Sequence, residues 1–392
     1  MALDTGKFTL PTPSWLQTLR YNEWWRFKVP FLLGIYFWQI KFTNIPMDAF
    51  WINAGLLVVW MFGAAGFGYF VNDCFDIDQD AAAGKPNRSG NLSIANRWAV
   101  AIGLLAVALL PWIWLPGNFT SALLIGFHLL TFLLYSISPI RFKERYYLGA
   151  ITDALYSYFL PVLLVAYTAW LINNLPPNYY IPNSYQALAL ATWAMAAGLR
   201  NIIQHHILDR RKDRISGTAN IINRYGLRFN VNLLRWLFIP LEIGMFAFAV
   251  YFTDNYTALL YSLLGFFCLW QLLPVVRINL RQPLNFRLDL GLFTLNTFYE
   301  IYLPFGFLIA FSMAQPWYWA TILPYHFLFP NPLISFTLWI LALVFHHLLL
   351  RWLWIVRLIL SRIVNYSIHY THVAYRYARG IKPYDPRHQH DA

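Results

Sequence analysis

Ten runs of about 20 apolar residues recur along the chain, each long enough as a helix to cross a hydrocarbon core of roughly 30 Å. They fall at 29–46, 49–72, 97–115, 119–138, 148–173, 185–208, 230–253, 256–276, 290–313 and 331–356. Lipid offers no water to backbone N–H and C=O groups, so such runs must close their hydrogen bonds internally, as helices. We therefore expect an all-α integral membrane protein. Composition excludes the other classes. Only 12% of the 392 residues are charged, against roughly a quarter in soluble domains. The 59% hydrophobic content argues against disorder, and two cysteines cannot staple a chain of this length.

The formal net charge is +12, which in a soluble protein would suggest nucleic acid. Here the positions of the charges give another reading. The segments joining runs two to three, four to five, six to seven and eight to nine carry fifteen Lys and Arg, while the opposite segments carry one, Lys41. That asymmetry places both termini on the cytoplasmic side of a multi-pass protein, with the lipid bilayer and no nucleic acid as partner. The expected location is a bacterial inner membrane. Residues 14–28 read as an amphipathic interfacial helix feeding the first span. The expected organisation is an interfacial segment at 1–28, one transmembrane domain at 29–356, and a C-terminal extension and tail at 357–392.

Acid is scarce. The chain holds 17 Asp and Glu, and six of them lie in two short segments. The first is Asn72-Asp73-Cys74-Phe75-Asp76-Ile77-Asp78-Gln79-Asp80, at the end of the second run. At about 100° per residue, Asn72, Asp73, Asp76 and Asp80 share one helix face, while Asp78 projects away. Carboxylates on one face repel unless a cation neutralises them. Their hard oxygens suit Mg²⁺ bound together with substrate phosphates. The second segment ends the sixth run, where Asp209 and Asp213 stand one turn apart, with Asn201 and His205 on the same stripe.

Basic residues complement these clusters: Lys85 and Arg88 after the first, and Arg141 and Lys143 after the fourth run, preceded by Tyr135. Two carboxylate sites ringed by Lys and Arg describe a receptor for a strongly anionic group such as a diphosphate. Arg141 reads equally well as a membrane-edge anchor. Within the runs lie Asp153, Glu242 and Glu300. Intramembrane carboxylates mark function by default. Asp153 is a candidate for lining the site, whereas Glu242 and Glu300 read as carboxyls protonated or hydrogen-bonded between helices. Cys74 is a spacer, and His346 and His347 read as packing residues.

The set Asn72-Asp73-x-x-Asp76-x-x-x-Asp80, the Tyr135-to-Lys143 stretch and Asp209-x-x-x-Asp213, in that order at the ends of even-numbered runs, resembles the UbiA superfamily of intramembrane prenyltransferases. The resemblance implies a helical bundle around a central cavity that opens laterally to lipid. The family core has nine spans where the apolar runs number ten, so we expect nine to ten. It further implies that Asn72, Asp76 and Asp80 hold one Mg²⁺, with Asp73 close behind and acting in catalysis, and that Asp209 and Asp213 hold a second. Arg88, Lys85, Lys143, Arg141, Asp153 and Asn201 would surround an isoprenyl diphosphate, with Tyr135 near its leaving oxygen. An Arg before the first span contributes too; Arg20 and Arg26 both qualify, and Arg26 joins the expected diphosphate set. One departure is that Asn220 stands where the family pattern has a Thr, three residues after Gly217.

The activity implied is Mg²⁺-dependent transfer of an isoprenyl group to a hydrophobic acceptor, aromatic or otherwise, by ionisation of the allylic diphosphate. The same site without an acceptor would make a terpene cyclase. A transporter with ion-binding carboxylates is the alternative from another class, but its sites gather near the membrane midplane, and these clusters lie at one edge.

Overall fold

The computed structural model describes residues 14–40, 45–82, 84, 86–173, 184–215, 220–251, 260–261, 265, 295–296, 298–329, 351–353 and 355–359. Among these residues every regular element is a helix. The chain divides into two compact units, Met1–Phe329 and Pro330–Ala392; the motifs all lie in the first. Five helical segments are long and apolar enough to cross a membrane: Met47–Phe75, Ile94–Ile113, Phe119–Ser136, Tyr147–Asn173 and Leu227–Tyr251. The protein is therefore an all-α, multi-pass membrane protein.

In chain order the first unit contains α1 (Ser14–Thr18), α2 (Tyr21–Gln39), α3 (Met47–Phe75), α4 (Ile77–Ala82), α5 (Ile94–Leu109), α6 (Phe119–Ser136), α7 (Tyr147–Ala154) and α8 (Leu160–Asn173). It continues with α9 (Ser184–Ile215), α10 (Ile221–Tyr225), α11 (Leu227–Leu233), α12 (Ile239–Tyr251), α13 (Leu303–Ala314) and α14 (Trp319–Leu328). Three π-helical turns join α7 to α8 at Leu155–Phe159, join α11 to α12 at Leu234–Phe238, and lead into α13 at Phe298–Tyr302. The first seven apolar runs and the ninth match helices. Most of the eighth and tenth lie outside the described residues. The ten-residue α14 falls between the ninth and tenth runs, too short to register as a span.

The N-terminal segment differs from expectation. The break falls at Leu19–Arg20, and Tyr21 through Gln39 form one helix. Trp24 and Trp25 are buried, Trp24 edge-on to Phe62 of α3 with ring centroids 5.7 Å apart. Burying two indoles secures this stretch against the bundle, where an interfacial helix would leave them at the lipid surface.

Helix α2 is central. Every residue from Val29 to Trp38 is buried, as expected of a helix that is apolar on all sides and surrounded by others. Phe31 meets Trp193 of α9 at 5.7 Å and Tyr158 of the first π turn at 5.5 Å. Phe37 meets Phe50 of α3 at 5.7 Å and Phe311 of α13 at 6.0 Å. By contrast α5 turns Ile94, Trp98 and Ile102 outward, the pattern of a lipid-facing helix.

Two devices hold the bundle where apolar burial has little discriminating force, since lipid is as apolar as Leu. Gly63 lets α3 and α5 touch through backbone: a Cβ there would lie 2.3 Å from Ala108 N. Between α9 and α12, Arg200 and Glu242 form a fully buried, bidentate ion pair, Nε to Oε2 at 2.5 Å and Nη2 to Oε1 at 2.9 Å. This gives Glu242 the interhelical hydrogen-bonded role that its sequence position suggests. The remaining guanidinium donors reach Asn201, Gln204 and Asn296 at 3.1, 3.0 and 2.7 Å, so no charge is left unanswered.

Two outcomes follow for denaturant unfolding in detergent micelles, monitored by tryptophan fluorescence. Gly63→Ala should destabilise by about 1–3 kcal/mol through overpacking against α5. Arg200→Met should cost about 3–5 kcal/mol by stranding Glu242, and adding Glu242→Leu should restore part of that loss.

Candidate active site

The first acidic segment does not continue as one helix. Helix α3 stops at Phe75, and Asp76 takes φ −104° and ψ 1° before α4 begins at Ile77. The cause is local. The carboxyl end of a helix carries partial negative charge, which acidic side chains reinforce. Arg141 relieves it by donating Nη1 to the freed carbonyl of Phe75 at 2.9 Å.

The break separates the carboxylates into two groups. Asn72 donates Nδ2 to Asp76 Oδ2 at 3.0 Å, and the Lys143 ammonium bonds both Asn72 Oδ1, at 3.0 Å, and Asp76 Oδ1. Arg141 Nη2 also reaches Asp76 Oδ1 at 2.8 Å. Asp73 is buried and turns toward Arg20, whose Nη1 lies 3.3 Å from Oδ1. Asp80 accepts from Asn87 Nδ2 at 2.8 Å, and the same amide donates to Asp73 O at 2.8 Å. Asp78 is exposed, as its angular position predicts.

Arg20 and Arg141, two of the three non-glycine residues with positive φ among the described residues, sit at +50° and +37°. Such a conformation costs on the order of 1–3 kcal/mol and persists where its surroundings demand it. Here each one delivers a guanidinium to a motif carboxylate. Around them the charges are tuned. Burial lowers the Lys143 ammonium below its usual range, with Asp76 opposing. Burial works against the Arg20 charge, yet Glu23 and Asp73 outweigh it and hold the guanidinium more firmly protonated. For Glu144 burial acts upward, but hydrogen bonds from Gln79 and Arg141 bring the carboxyl below the usual range.

A cavity of ≈ 680 Å³ opens beside this cluster. Arg20, Tyr69, Asn72, Tyr135 and Ser136 line its charged mouth. Along α3 the lining runs from Asn72 to Trp60, twelve residues or about 18 Å of helix rise. At that inner end Trp60, His128 and Phe132 close together, with His128 centred 5.9 Å from Trp60 and 4.9 Å from Phe132. The opposite wall is polar and contains Lys28, Asp153, Asn201, His205, Asn296 and Glu300.

The structure thus gathers Asn72, Asp76, Lys143 and Arg141 into one network, sets Asp73 on Arg20 and Asp80 on Asn87 beside it, and brings Asn72, Tyr135, Asp153 and Asn201 to the cavity. Arg20 occupies the place expected of Arg26; Arg26 does not line the cavity, because the left-handed turn at residue 20 aims the earlier arginine inward. Arg141 braces Asp76 from behind and is not a lining residue, nor is the exposed Arg88. Asp209 lies two turns beyond Asn201 on α9, and Asp213 lies on the same helix with its side chain outside the described residues. Lys85 is also outside them. Sequence reasoning missed Asn87, Lys28 and Tyr69, and reads Glu300 as protonated or hydrogen-bonded between helices, where the structure places it on the cavity lining. Asn87 is the one with a visible signal, since an Asn in Pro-Asn-Arg beside an acidic cluster can orient it by its amide.

Comparison with curated proteins gives no match. The profile of the UbiA prenyltransferase family matches residues 28–297. Among solved structures, a UbiA homolog from Archaeoglobus fulgidus bound to DMAPP and Mg²⁺ superposes with a TM-score of 0.54 at 20% identity, covering 75% of this chain and 98% of its own. The same homolog bound to GPP and Mg²⁺ gives 0.53 at 19% identity, with the same coverage. A digeranylgeranylglyceryl phosphate synthase gives 0.52 at 15%, covering 75% and 96%. With the family profile spanning most of the chain and the shared helical fold, this protein belongs to the UbiA prenyltransferase family.

Proposed function

We propose that this protein transfers an isoprenyl group from an isoprenyl diphosphate to a hydrophobic acceptor within the membrane, with Mg²⁺ as its cofactor. The observation that carries the reading is the junction of two environments: Arg20 and Asn72, the latter bonded to Lys143 and Asp76 behind it, line a cavity whose inner end is closed by aromatic rings. Such a site holds a diphosphate head at the mouth and a hydrocarbon chain inside. The relatives from Archaeoglobus fulgidus, bound to DMAPP or GPP with Mg²⁺, support the same reading. The fifteen-to-one bias of Lys and Arg supports a cytoplasmic mouth and cytoplasmic termini, with a bacterial inner membrane as the location.

The residues fit the metal. Lys143 places a cation between Asn72 Oδ1 and Asp76 Oδ1, so these oxygens are already arranged around positive charge. Among the described residues no three His, Cys, Asp or Glu side chains close into a metal cage. Mg²⁺ does not require one, because it is commonly held by one or two carboxylates together with substrate phosphates. Asn72, Asp76 and Asp80 would hold one ion, and Asp209 and Asp213 a second. When bound, Mg²⁺ supplies positive charge to the departing diphosphate.

The protein's own groups do the rest. Lys143 and Arg20 donate to diphosphate oxygens, with Lys85 and Arg88 at the entrance, and Arg141 keeps Asp76 oriented. Tyr135 stands by the leaving oxygen, and Asp73 holds Arg20 in place. The C1–O bond breaks with its electron pair left on the diphosphate, and the allylic carbon bonds to the acceptor. Trp60 and Phe132 exclude water around the hydrocarbon chain, and the Tyr156 ring, 5.2 Å from that of Tyr135, stabilises the passing cation.

Purified protein in lipid nanodiscs, given Mg²⁺, labelled isoprenyl diphosphate and a membrane extract, should transfer label and release diphosphate. Asp76→Ala and Asp209→Ala should each lower the rate by about 10²-fold or more, and chelation of divalent ions should abolish it. Asp78→Ala, at an exposed position, should leave it unchanged. Full activity in both Asp76→Ala and Asp209→Ala would refute the two-metal site.

A further inference from the structure

The polar wall of the cavity carries more than diphosphate binding requires. Lys28 lies eight residues inside Arg20 on α2, and Asn201 eight residues inside Asp209 on α9, both about 12 Å deeper by helix rise. At that level the lining bears one ammonium, Lys28, and two carboxylates, Asp153 and Glu300. Their surroundings differ. Tyr156 Oη donates to Asp153, and Ser157 Oγ lies 3.5 Å from its other oxygen. Lys28 Nζ lies 3.3 Å from the centroid of the Tyr158 ring and 3.5 Å from Ser157 O. Asn201 is saturated: Oδ1 accepts from Arg200 and Asn296, and Nδ2 donates to Tyr158. No hydrogen bond reaches the Glu300 carboxylate among the described residues.

Glu300 is also placed unusually. It sits on the π-helical turn Phe298–Tyr302, and the facing wall of Tyr156, Ser157 and Tyr158 is the π-helical turn Leu155–Phe159. A π turn opens an α-helix and redirects side chains, and it recurs at functional sites. Glu242, the other intramembrane glutamate, is by contrast fully engaged by Arg200.

We propose that Lys28, Asp153 and Glu300 form the acceptor subsite, that the acceptor is an uncharged molecule bearing a hydroxyl group, and that Glu300 receives the hydroxyl proton. The inference rests on the transferase reading and names the substrate class of the same site. Charge decides the class. The titratable groups of this wall are two carboxylates, one ammonium and the His205 imidazole, and the diphosphate at the mouth adds negative charge. In a desolvated cavity a carboxylate- or phosphate-bearing acceptor would meet these two carboxylates, and Lys28, the one ammonium at this level, already faces both of them. A neutral hydroxyl finds an acceptor for its proton in Glu300, with Lys28 as counter-charge. In the step, the hydroxyl oxygen bonds to C1 of the isoprenyl group, the C1–O bond to the diphosphate breaks with its electron pair, and the hydroxyl proton passes to the Glu300 carboxylate.

The test uses the full chain in nanodiscs with Mg²⁺, labelled isoprenyl diphosphate and an organic extract of membranes split by anion exchange into neutral and anionic pools. Label should pass into the neutral pool. Glu300→Gln should lower kcat for transfer by about 10²-fold or more, the scale of losing a general base. Glu300→Asp should recover part of that activity. Binding of the isoprenyl diphosphate, measured separately by displacement of label, should persist in Glu300→Gln and so reports an intact fold. Label entering only the anionic pool would overturn the charge argument. Wild-type transfer rates in Glu300→Gln would overturn the proton-acceptor role. Diphosphate release with no labelled acceptor in either pool would overturn the subsite itself. Absence of any diphosphate release would instead sink the transferase reading on which it stands.

Discussion

The Lys143 ammonium, held between Asn72 and Asp76, is the interaction on which the site depends. It joins the polar end of α3 to the loop after α6, two elements far apart in sequence. Without it Asp76 would face Asp73 and Asp80 with less positive charge nearby, at the negative end of a helix that already disfavours them. Arg141 reinforces the junction by capping Phe75 O and gripping Asp76. The break in α3 is therefore stabilised, and the carboxylates become two oriented groups in place of one repelling stripe.

Deeper in the bundle the same rule operates with different partners. Charge in a membrane interior persists only when answered, and Arg200 with Glu242 is answered completely. Their pair links α9 to α12 and, through Asn201 and Asn296, stiffens one wall of the cavity. Lys28 and Glu300 follow the rule less fully. Their lower degree of satisfaction, together with their place on the cavity lining, separates groups that build the bundle from groups available to a ligand.

Much of the architecture was legible in the sequence. Runs of apolar residues reported the helices because lipid forces each span to satisfy its own backbone, so local composition suffices. The motif aspartates were legible because acid is rare in this chain and six of 17 acidic residues cluster. Helical periodicity also placed Asp78 outside the cluster, where it is exposed. It failed at Asp76, since a regular 100° step cannot foresee a helix end fixed by an arginine 65 positions later. Between Arg20 and Arg26 the sequence offered no choice. That choice turned on a left-handed residue at position 20, a backbone state that no side-chain pattern announces.

The sequence alone thus determined the all-α membrane class, the helices that match the first seven apolar runs and the ninth, and where acidic and basic residues cluster, because each of these rests on local composition and spacing. Tertiary structure decided which charges answer one another. Glu242 and Glu300 look alike as isolated carboxylates in apolar runs, yet one is locked to Arg200 and the other lines the cavity opposite a second π turn. That difference is set by which helix packs against which, and pairing across helices in lipid is a property of the assembled bundle.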